Sequence, residues 1–491
     1  MVALSSSLGL ILKLILTVCA LTPWHAWGQD RLPADVAAAL KAAAIPLSAV
    51  GIHVQETGSR KPSLSINAER AMNPASTMKL MTSFAALELL GPNFSWKTEV
   101  WAAGALNGDT LEGNLILKGG GDPKLTLENL WLLVRSLRMR GLRHIHGDLV
   151  LDRSYFNAGD YDPSRFDAEP LRPYNVGPDA LLLNFKAIRF SFSPDPASGT
   201  VQVIADPKPA QLELIQSVRA GKGPCGDWRS QLKADFQAGS TQAKVAFSGL
   251  YPADCGEKSW NVALLSHPNY IYGVFRQIWE ESGGTLAGGW RDSMVPPGAR
   301  LLYAHESPSL SEVVRDINKY SNNVMARQLF LTLSAETLKS PGSSAGSTQA
   351  IRTWLAQRGL QVPELVLENG SGLSRIERIS TANLALVLET AFRSAVMPEL
   401  MASLPLVAYD GTMKRRLTAS AVAGQAHIKT GTLNDVRAIA GYILDRNGTR
   451  HVVVFIINHP NAGNAQSAQD ALLRWVYAAD GTGCCGRSVQ Q

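Results

Sequence analysis

The sequence lacks the marks of several common functional classes. None of its five cysteines stands at metal-ligand spacing from the nine histidines, so neither a metal site nor another cofactor is expected. Basic clusters with interleaved aromatic residues are also missing, which argues against nucleic acid as a partner. The Gly-rich stretch Gly119-Gly120-Gly121-Asp122-Pro123 has no Gly-Lys-Ser/Thr ending. It is therefore predicted to be a turn and not a phosphate-binding loop.

The apolar run at the N-terminus is too short to anchor the chain in a membrane. Residues 8–21 are almost uniformly apolar but fall short of the roughly 20 residues that span a bilayer. Pro23 ends the run, and Ala26-Trp27-Gly28 supplies a small-x-small cleavage pattern. Residues 1–28 are therefore predicted to be a signal peptide, and the mature protein to be periplasmic or otherwise exported without a stable membrane span.

Charge and cysteine content bear on the partner of the protein and on the compartment in which it folds. The formal net charge is +6, and charged residues make up 18% of the chain, a mild positive balance compatible with an anionic polymer such as cell wall. In an oxidising compartment Cys225 and Cys255 could close a disulfide inside one small domain. The sequence gives no explanation for the adjacent pair Cys484 and Cys485.

Two helices have recognisable boundaries in the sequence. The first is predicted to begin near Ser76 and to end at Gly91-Pro92, a glycine cap followed by a residue that cannot continue a helix. The second is predicted to begin at the capping-box pattern 309–312. Its apolar face would include Tyr320, and Ser321-Asn322-Asn323 would interrupt it.

Strand patterns lie near both ends of the mature chain. Residues 48–56 and 63–67 alternate as two early strands, and the C-terminal quarter predicts three more at 426–432, 436–444 and 451–458. Asn447-Gly448 is a typical hairpin turn between the last two strands.

At 491 residues the chain is too long for one compact core, so two or three domains are expected. Residues 29–94 and 299–480 are predicted to form one domain. Residues 95–298 are predicted to be an inserted β-rich region, containing a small subdomain at 187–263.

Three short motifs carry the chemistry, namely Ser76-Thr77-Met78-Lys79, Ser321-Asn322-Asn323 and Lys429-Thr430-Gly431. A spacing of three places Ser76 and Lys79 on one helix face, where a neutral amine could take the hydroxyl proton. A dry pocket and a second cation such as Lys429 would both favour the neutral amine. Alone, each motif is more typical of a structural feature than of a catalytic site. These features are a helix N-cap for the first motif, a polar kink between helices for the second and an exposed edge strand for the third. A second Ser-x-x-Lys, at 230–233, has no comparable helix.

The combination resembles the penicillin-recognising serine enzymes, whose pattern is Ser-x-x-Lys, Ser-Asp-Asn and Lys-Thr-Gly. The first two motifs stand 321 − 76 = 245 residues apart, and so large an insertion is similar to the D-alanyl-D-alanine carboxypeptidase/endopeptidase family, the class C low-molecular-mass penicillin-binding proteins. Further segments match that family, namely Gly119–Pro123 as spelled out above, Asn318-Lys319-Tyr320-Ser321-Asn322-Asn323, Asn369-Gly370-Ser371-Gly372-Leu373-Ser374-Arg375 and Asp410-Gly411-Thr412.

The resemblance implies a catalytic role for five residues. Ser76 would form the acyl-enzyme, with Lys79 as its general base. Ser321 would relay a proton to the leaving amine, Asn323 would hold the acyl amide, and Lys429 would set the electrostatics.

The resemblance also implies substrate-binding residues. The strand Thr430-Gly431-Thr432 would bind the terminal carboxylate through its two threonines, and the backbone N–H groups of Ser76 and Thr432 would form the oxyanion hole. Arg375 would help hold the substrate side chain, together with an acid near Asp167 or Glu169.

The expected fold is α/β (α+β): a penicillin-binding/β-lactamase-like catalytic domain with an antiparallel sheet flanked by helices, plus the large insertion. The expected partners are peptidoglycan stem peptides, with β-lactam antibiotics as covalent inhibitors. Two alternatives stay open, a β-lactamase-like hydrolase and a non-catalytic cell-wall-binding protein. The intact proton-transfer pair argues against the second alternative, since a binding module needs none.

Overall fold

A computed structural model describes residues 32–195, 197–239 and 242–478. The predicted signal peptide and the Cys484-Cys485 pair lie outside these ranges. Within them, no helix is both long enough and apolar enough to cross a membrane.

A five-stranded antiparallel sheet forms the centre of the first structural unit. Its strands, from one edge to the other, are Ala426–Leu433, Val436–Leu444, Arg450–Asn458, Val50–Glu56 and Leu64–Ile66. The first and last parts of the chain therefore pair directly, with Ile52 opposite Phe455. The strand carrying Lys429-Thr430-Gly431 lies at the edge of the sheet. Residues 405–407 bond the beginning of this strand, up to Ile428, so the backbone edge that follows Ile428 is the part that can meet a ligand.

Helices cover both faces of this sheet. Val453 and Phe455 point into one core, and Val454 and Ile456 into the other, because successive side chains of a strand alternate between faces. Burial on both sides explains why residues 452–457 are uniformly apolar. The helices of this unit are Ala34–Ala42, Lys79–Leu90, Leu310–Lys319, Asn323–Leu338, Ser344–Gln357, Thr381–Phe392, Met397–Ser403 and Gln466–Tyr477. The predicted fold class is confirmed.

The chain between these helices and strands builds two further sheets. One contains Lys97–Asn107, Thr110–Gly119, His144–Ile145, Leu149–Asp152, Thr285–Leu286, Trp290–Asp292 and Arg300–Glu306. The other contains, in spatial order, Leu232–Ala238, Ala243–Pro252, Leu212–Gly221, Thr200–Asp206, Ile188–Asp195 and Lys258–Val262. The helices Leu127–Met139 and His267–Glu281 pack with them.

The two inserted sheets share one hydrophobic core. Leu115 and Leu149 of the first sheet belong to the same buried cluster as Phe190 and Phe247 of the second. A disulfide joins Cys225 and Cys255 in the part of the chain that forms the second sheet. The boundaries at 95–298 and 187–263 stay predictions.

The structure corrects three local expectations. Ser76 lies in a 3-10 turn, Ala75–Met78, and the α-helix begins only at Lys79. The side chain of Ser309 bonds Glu312 and caps no backbone N–H, so the capping box does not form. Tyr320 follows the end of its helix and is 65% exposed, so it is not part of the apolar face.

Candidate active site

The Ser76 hydroxyl is presented by a turn held from both sides. Ala75, immediately before it, has a φ of 46°, a left-handed conformation that non-glycine residues adopt only when their surroundings impose it. The side chain of Asn73 accepts a hydrogen bond from the Ala75 N–H at 2.9 Å. Thr77 Oγ1 donates to the carbonyl of Pro74 at 2.7 Å. These contacts fix Ser76 at the mouth of the helix that follows, half-buried.

Lys79 lies below Ser76 and is completely buried. Its Nζ is 2.9 Å from Ser76 Oγ, 2.6 Å from Asn323 Oδ1 and 2.5 Å from the carbonyl oxygen of Ser371. A neutral amine has two N–H donors and one lone pair. The two carbonyl oxygens can take the two donors, and the lone pair is then left for the Ser76 hydroxyl proton.

The surroundings of Lys79 favour this neutral form. Burial lowers its pKa well below the ordinary lysine value, and the charges of Lys429 and Arg327 lower it further. The buried carboxylate of Glu377 acts in the opposite direction. The dry environment therefore has the largest effect, and the two cations add to it.

The second motif joins two helices at the site. Ser321 has a φ of 57°, and this left-handed residue ends the first helix. Asn322 accepts a hydrogen bond from the Met325 N–H at 3.1 Å and so caps the second helix, whose first residue is Asn323. Asp and Asn serve equally well as caps, which gives a physical reason why asparagine can stand where the resembled pattern has aspartate.

The third motif brings a second buried lysine to the site. Lys429 Nζ donates to Ser321 Oγ at 2.8 Å and to the carbonyl of Thr430 at 2.7 Å. Burial lowers the pKa of Lys429 to about 7. Thr432 is exposed, and its Oγ1 accepts from Arg437 Nη1 at 2.5 Å. Contacts thus join the five predicted catalytic residues in two adjacent groups, Ser76 with Lys79 and Asn323, and Ser321 with Lys429. The charge of Lys429 is near enough to act on Lys79.

Two glycines allow neighbouring backbone segments to lie directly against the turn that carries Ser76. A Cβ on Gly372, whose φ is +76°, would lie 1.8 Å from the Ala75 carbonyl oxygen. A Cβ on Gly431 would lie 2.7 Å from the carbonyl oxygen of Pro74 and 3.1 Å from the Ser76 nitrogen. The edge strand and the loop around Gly372 therefore both press against the Ser76 turn, with no room for a larger residue.

Three residues of the site were not predicted from the sequence. Ser371 contributes only its carbonyl, a group that every residue has. Glu377 is fully buried, and its Oε1 accepts from the backbone N–H groups of residues 368, 369 and 370. Arg327 is buried and donates to the carbonyl of Val176 at 2.8 Å. For Arg327, the sequence signal that could have pointed to the site was its position on the same helix as Asn323.

An ion pair between a buried lysine and a partly exposed aspartate connects two of these motifs. Lys319 Nζ lies 2.6 Å from Asp410 Oδ2, which ties the segment before Ser321 to the Asp410-Gly411-Thr412 turn. Thr412 Oγ1 then accepts a hydrogen bond from Thr430 Oγ1 at 2.7 Å. These contacts give a positioning role to segments that the sequence only marked as similar to a family.

The prediction that an acid near Asp167 or Glu169 acts together with Arg375 was wrong. Arg375 Nη1 lies 3.2 Å from Asp435 Oδ1, and its guanidinium stands 4.4 Å from the centre of the Phe166 ring. Asp167 instead accepts from a tyrosine hydroxyl and an asparagine amide, and Glu169 pairs with a neighbouring arginine. The acid reaches Arg375 from the end of the edge strand, a proximity that exists only in the folded chain.

Arg375 lines a cavity of about 270 Å³ beside the cleft, together with Tyr161, Phe166, Arg327 and Leu373. Among the described residues, no group of three or more His, Cys, Asp or Glu side chains is arranged to hold a metal ion.

Comparison with known proteins agrees with this geometry. The chain is 29% identical over 459 residues to a D-alanyl-D-alanine carboxypeptidase of Actinomadura sp. (strain R39), covering 90% of this chain and 84% of that protein. It is 25% identical over 403 residues to the D-alanyl-D-alanine carboxypeptidase DacB of Haemophilus influenzae, covering 82% and 83%.

The fold has a close counterpart among solved structures. The crystal structure of penicillin binding protein 4 (dacB) from H. influenzae superposes with a TM-score of 0.75 and 23% identity, over 90% of this chain and 99% of that one. Residues 32–478 also match the model of the D-Ala-D-Ala carboxypeptidase 3 (S13) family. With its serine and buried lysine in place, the chain therefore belongs to that family of serine peptidases.

Proposed function

We propose that the mature protein works outside the cytoplasm on peptidoglycan, as a carboxypeptidase, an endopeptidase or both, through an acyl-enzyme on Ser76. The observation that carries the proposal is the position of Lys79 Nζ, buried and 2.9 Å from Ser76 Oγ. A serine hydroxyl needs an adjacent base to become a nucleophile.

The first half of the reaction makes an ester on Ser76. Ser76 Oγ attacks the carbonyl carbon of the D-alanyl peptide bond while its proton passes to neutral Lys79. The N–H groups of Ser76 and Thr432 stabilise the negative charge that develops on the carbonyl oxygen, a contribution worth several kcal/mol. The C–N bond then breaks as the proton held by Lys79 passes to the leaving amine through the Ser321 hydroxyl, which returns Lys79 to its neutral form. Lys429 holds Ser321 by a hydrogen bond.

The second half releases the product. Water attacks the ester carbonyl, Lys79 accepts a proton from the water, and the proton returns to Ser76 as the ester bond breaks. Asn323 supports the acyl amide, and Thr430 and Thr432 bind the terminal carboxylate near charged Lys429. Arg375, at the rim of its cavity, contacts the side chain of the acyl residue.

β-Lactam antibiotics would acylate the same serine, because their amide carbonyl reaches it in the same way. A β-lactam complex of the H. influenzae penicillin binding protein 4 has been solved, and its chain superposes on this one with a TM-score of 0.72. Ser76 attack would open the β-lactam ring, with the ring nitrogen as the leaving amine still tethered to the acyl group.

The test is product analysis by mass spectrometry with two substrates, a stem pentapeptide and a cross-linked peptide dimer. We expect release of D-alanine, cleavage of the dimer or both, and loss of all activity in Ser76→Ala. Ser230→Ala is the matched control, because Ser230 belongs to the other Ser-x-x-Lys and lies exposed on the insertion. Activity that survives in Ser76→Ala would refute the proposal. Rapid penicillin turnover with no peptide cleavage would identify a β-lactamase instead.

A further inference from the structure

We propose that a second cavity, next to the one lined by Arg375, binds a carboxylate of the cell-wall peptide remote from the scissile D-alanyl bond. This inference rests on the proposed function and extends it to a separate part of the substrate. The cavity has a volume of about 560 Å³ and shares Ala158, Tyr161 and Pro163 with the cavity at Arg375. The two cavities are therefore neighbours, and the proposal places a remote part of the ligand of the first cavity in the second.

The charged groups that line the second cavity leave it positive. Arg153 bonds Asp179 at 2.5 Å and also pairs with exposed Asp292. Among the described residues, Lys186 forms no ion pair within 4.0 Å. Burial lowers its pKa to about 8, although the charge of Asp179 acts in the opposite direction. His267 is neutral at physiological pH because burial lowers its pKa to about 4. The lining thus holds two cations against one anion, and that anion is bound to Arg153.

The segment that carries Lys186 is strained. Asn184, Phe185 and Lys186 have φ values of 44°, 54° and 54°, three left-handed residues in a row. Such a conformation is unfavourable for residues that carry a side chain, and it persists only where the surroundings impose it. Strain of this kind concentrates at ligand sites. Here the strained segment places Lys186 in the cavity wall, where Asp179 is the one carboxylate of the lining and is already bonded to Arg153.

The wall of the second cavity is bonded to the helix Asn323–Leu338, which begins at the predicted catalytic residue Asn323. Gln328, five residues after Asn323, is fully buried. Its Oε1 accepts from the Asp179 N–H at 2.8 Å, and its Nε2 donates to the Asp179 carbonyl at 2.8 Å. The segment beside Lys186 is therefore rigidly placed relative to Asn323. A fixed separation of this kind suits a substrate that must present one bond to Ser76 while a distant group is held.

A carboxylate is the ligand group that matches this lining. An exposed or partly buried ammonium prefers a compact anion with open coordination, and stem peptides carry carboxylates besides the terminal D-alanine group. A carboxylate would fill only part of the 560 Å³ cavity. The remaining space could hold the peptide chain next to it.

The test measures equilibrium binding to the full-length Ser76→Ala protein, which cannot turn substrate over. The probes are a stem pentapeptide and versions of it in which each remote carboxylate is amidated in turn. We expect amidation of one of them to weaken binding about fivefold, the size of a partly exposed ion pair. In Ser76→Ala/Lys186→Gln the free and amidated forms should bind equally, and Lys186→Arg should keep the preference.

Lys233→Gln is the matched control, since Lys233 is an exposed lysine of the inserted sheets away from this cavity; it should keep the full preference. Circular dichroism checks that each variant is folded. If Lys186→Gln keeps the preference, or if no amidation matters, the subsite is refuted while D-alanyl recognition stands. If the Ser76→Ala protein binds none of the peptides, the proposed function fails, and the subsite fails with it.

Discussion

Lys79 Nζ and the carbonyl oxygen of Ser371 are 2.5 Å apart although 292 positions separate them in the chain. The loop that carries Ser371 thus holds the amine that faces Ser76. The same loop is bonded to Glu377. The protonation of Lys79 therefore depends on a loop that contains no catalytic side chain.

The rate of penicillin acylation should pass through a maximum as pH rises, at a pH below the ordinary pKa of lysine. The rate rises with pH as Lys79, whose pKa lies well below the ordinary value, loses its proton. It falls again as Lys429 loses its charge near its pKa of about 7. The second-order acylation rate constant, measured across pH 4–10 (roughly the range between carboxylate and lysine titration), reports both groups in the free enzyme. A rate that keeps rising to the ordinary pKa of lysine would contradict the account.

Glu377→Gln should move the acidic limb of that profile to lower pH. A glutamine oxygen can still accept the backbone N–H groups, but the negative charge that raises the pKa of Lys79 is gone. Glu364→Gln is the matched control, because Glu364 also accepts from a backbone N–H, that of Ser380, at 2.9 Å and does not influence Lys79. An unshifted limb in Glu377→Gln would show that its role is only structural.

Gly372→Ala should reduce the acylation rate by tenfold or more, since displacement of a catalytic group by ~1 Å can cost roughly that much or more. The new Cβ would overlap the Ala75 carbonyl oxygen, and the φ of +76° is unfavourable for alanine. Gly463→Ala provides the control, because a Cβ there meets nothing within 4 Å. Stopped-flow labelling with a fluorescent penicillin measures both variants. Equal rates for the two would contradict the tight packing inferred around Ser76.

Replacement of both Cys225 and Cys255 by alanine should lower the free energy of unfolding by about 3 kcal/mol and leave the acylation rate unchanged. The disulfide closes a loop with a sequence separation of 30, and loops of this size restrict the unfolded chain to about that extent. Urea denaturation of the whole protein, followed through the unfolding of the inserted region, measures the loss of unfolding free energy. A changed acylation rate would mean that the insertion transmits strain to the site.

The sequence predicted those parts of the site that depend on local spacing. Ser76 and Lys79 are three residues apart and meet across one turn, and apolar runs such as 452–457 identified the central strands. Ser371, Glu377 and Arg327 could not be predicted, because a carbonyl or a buried charge acquires its role only from chain segments brought together by folding.

Other misses have different causes. Helix Leu127–Met139 was not predicted, although Leu130, Leu133, Val134 and Leu137 bury one face of it at helical spacing. The acidic partner of Arg375 was sought nearby in the insertion, whereas the folded sheet supplies Asp435. The capping box at Ser309 failed because its serine bonds the glutamate side chain instead of the backbone.

The most direct test of the account is to incubate the purified protein briefly with a fluorescent penicillin and to map the adduct by peptide mass spectrometry. We expect one lasting covalent adduct, on the peptide that contains Ser76, and no adduct in Lys79→Met, which keeps the bulk of the side chain but has no base. An adduct on Ser321 or Ser230, or labelling of Ser76 at full rate without Lys79, would contradict it.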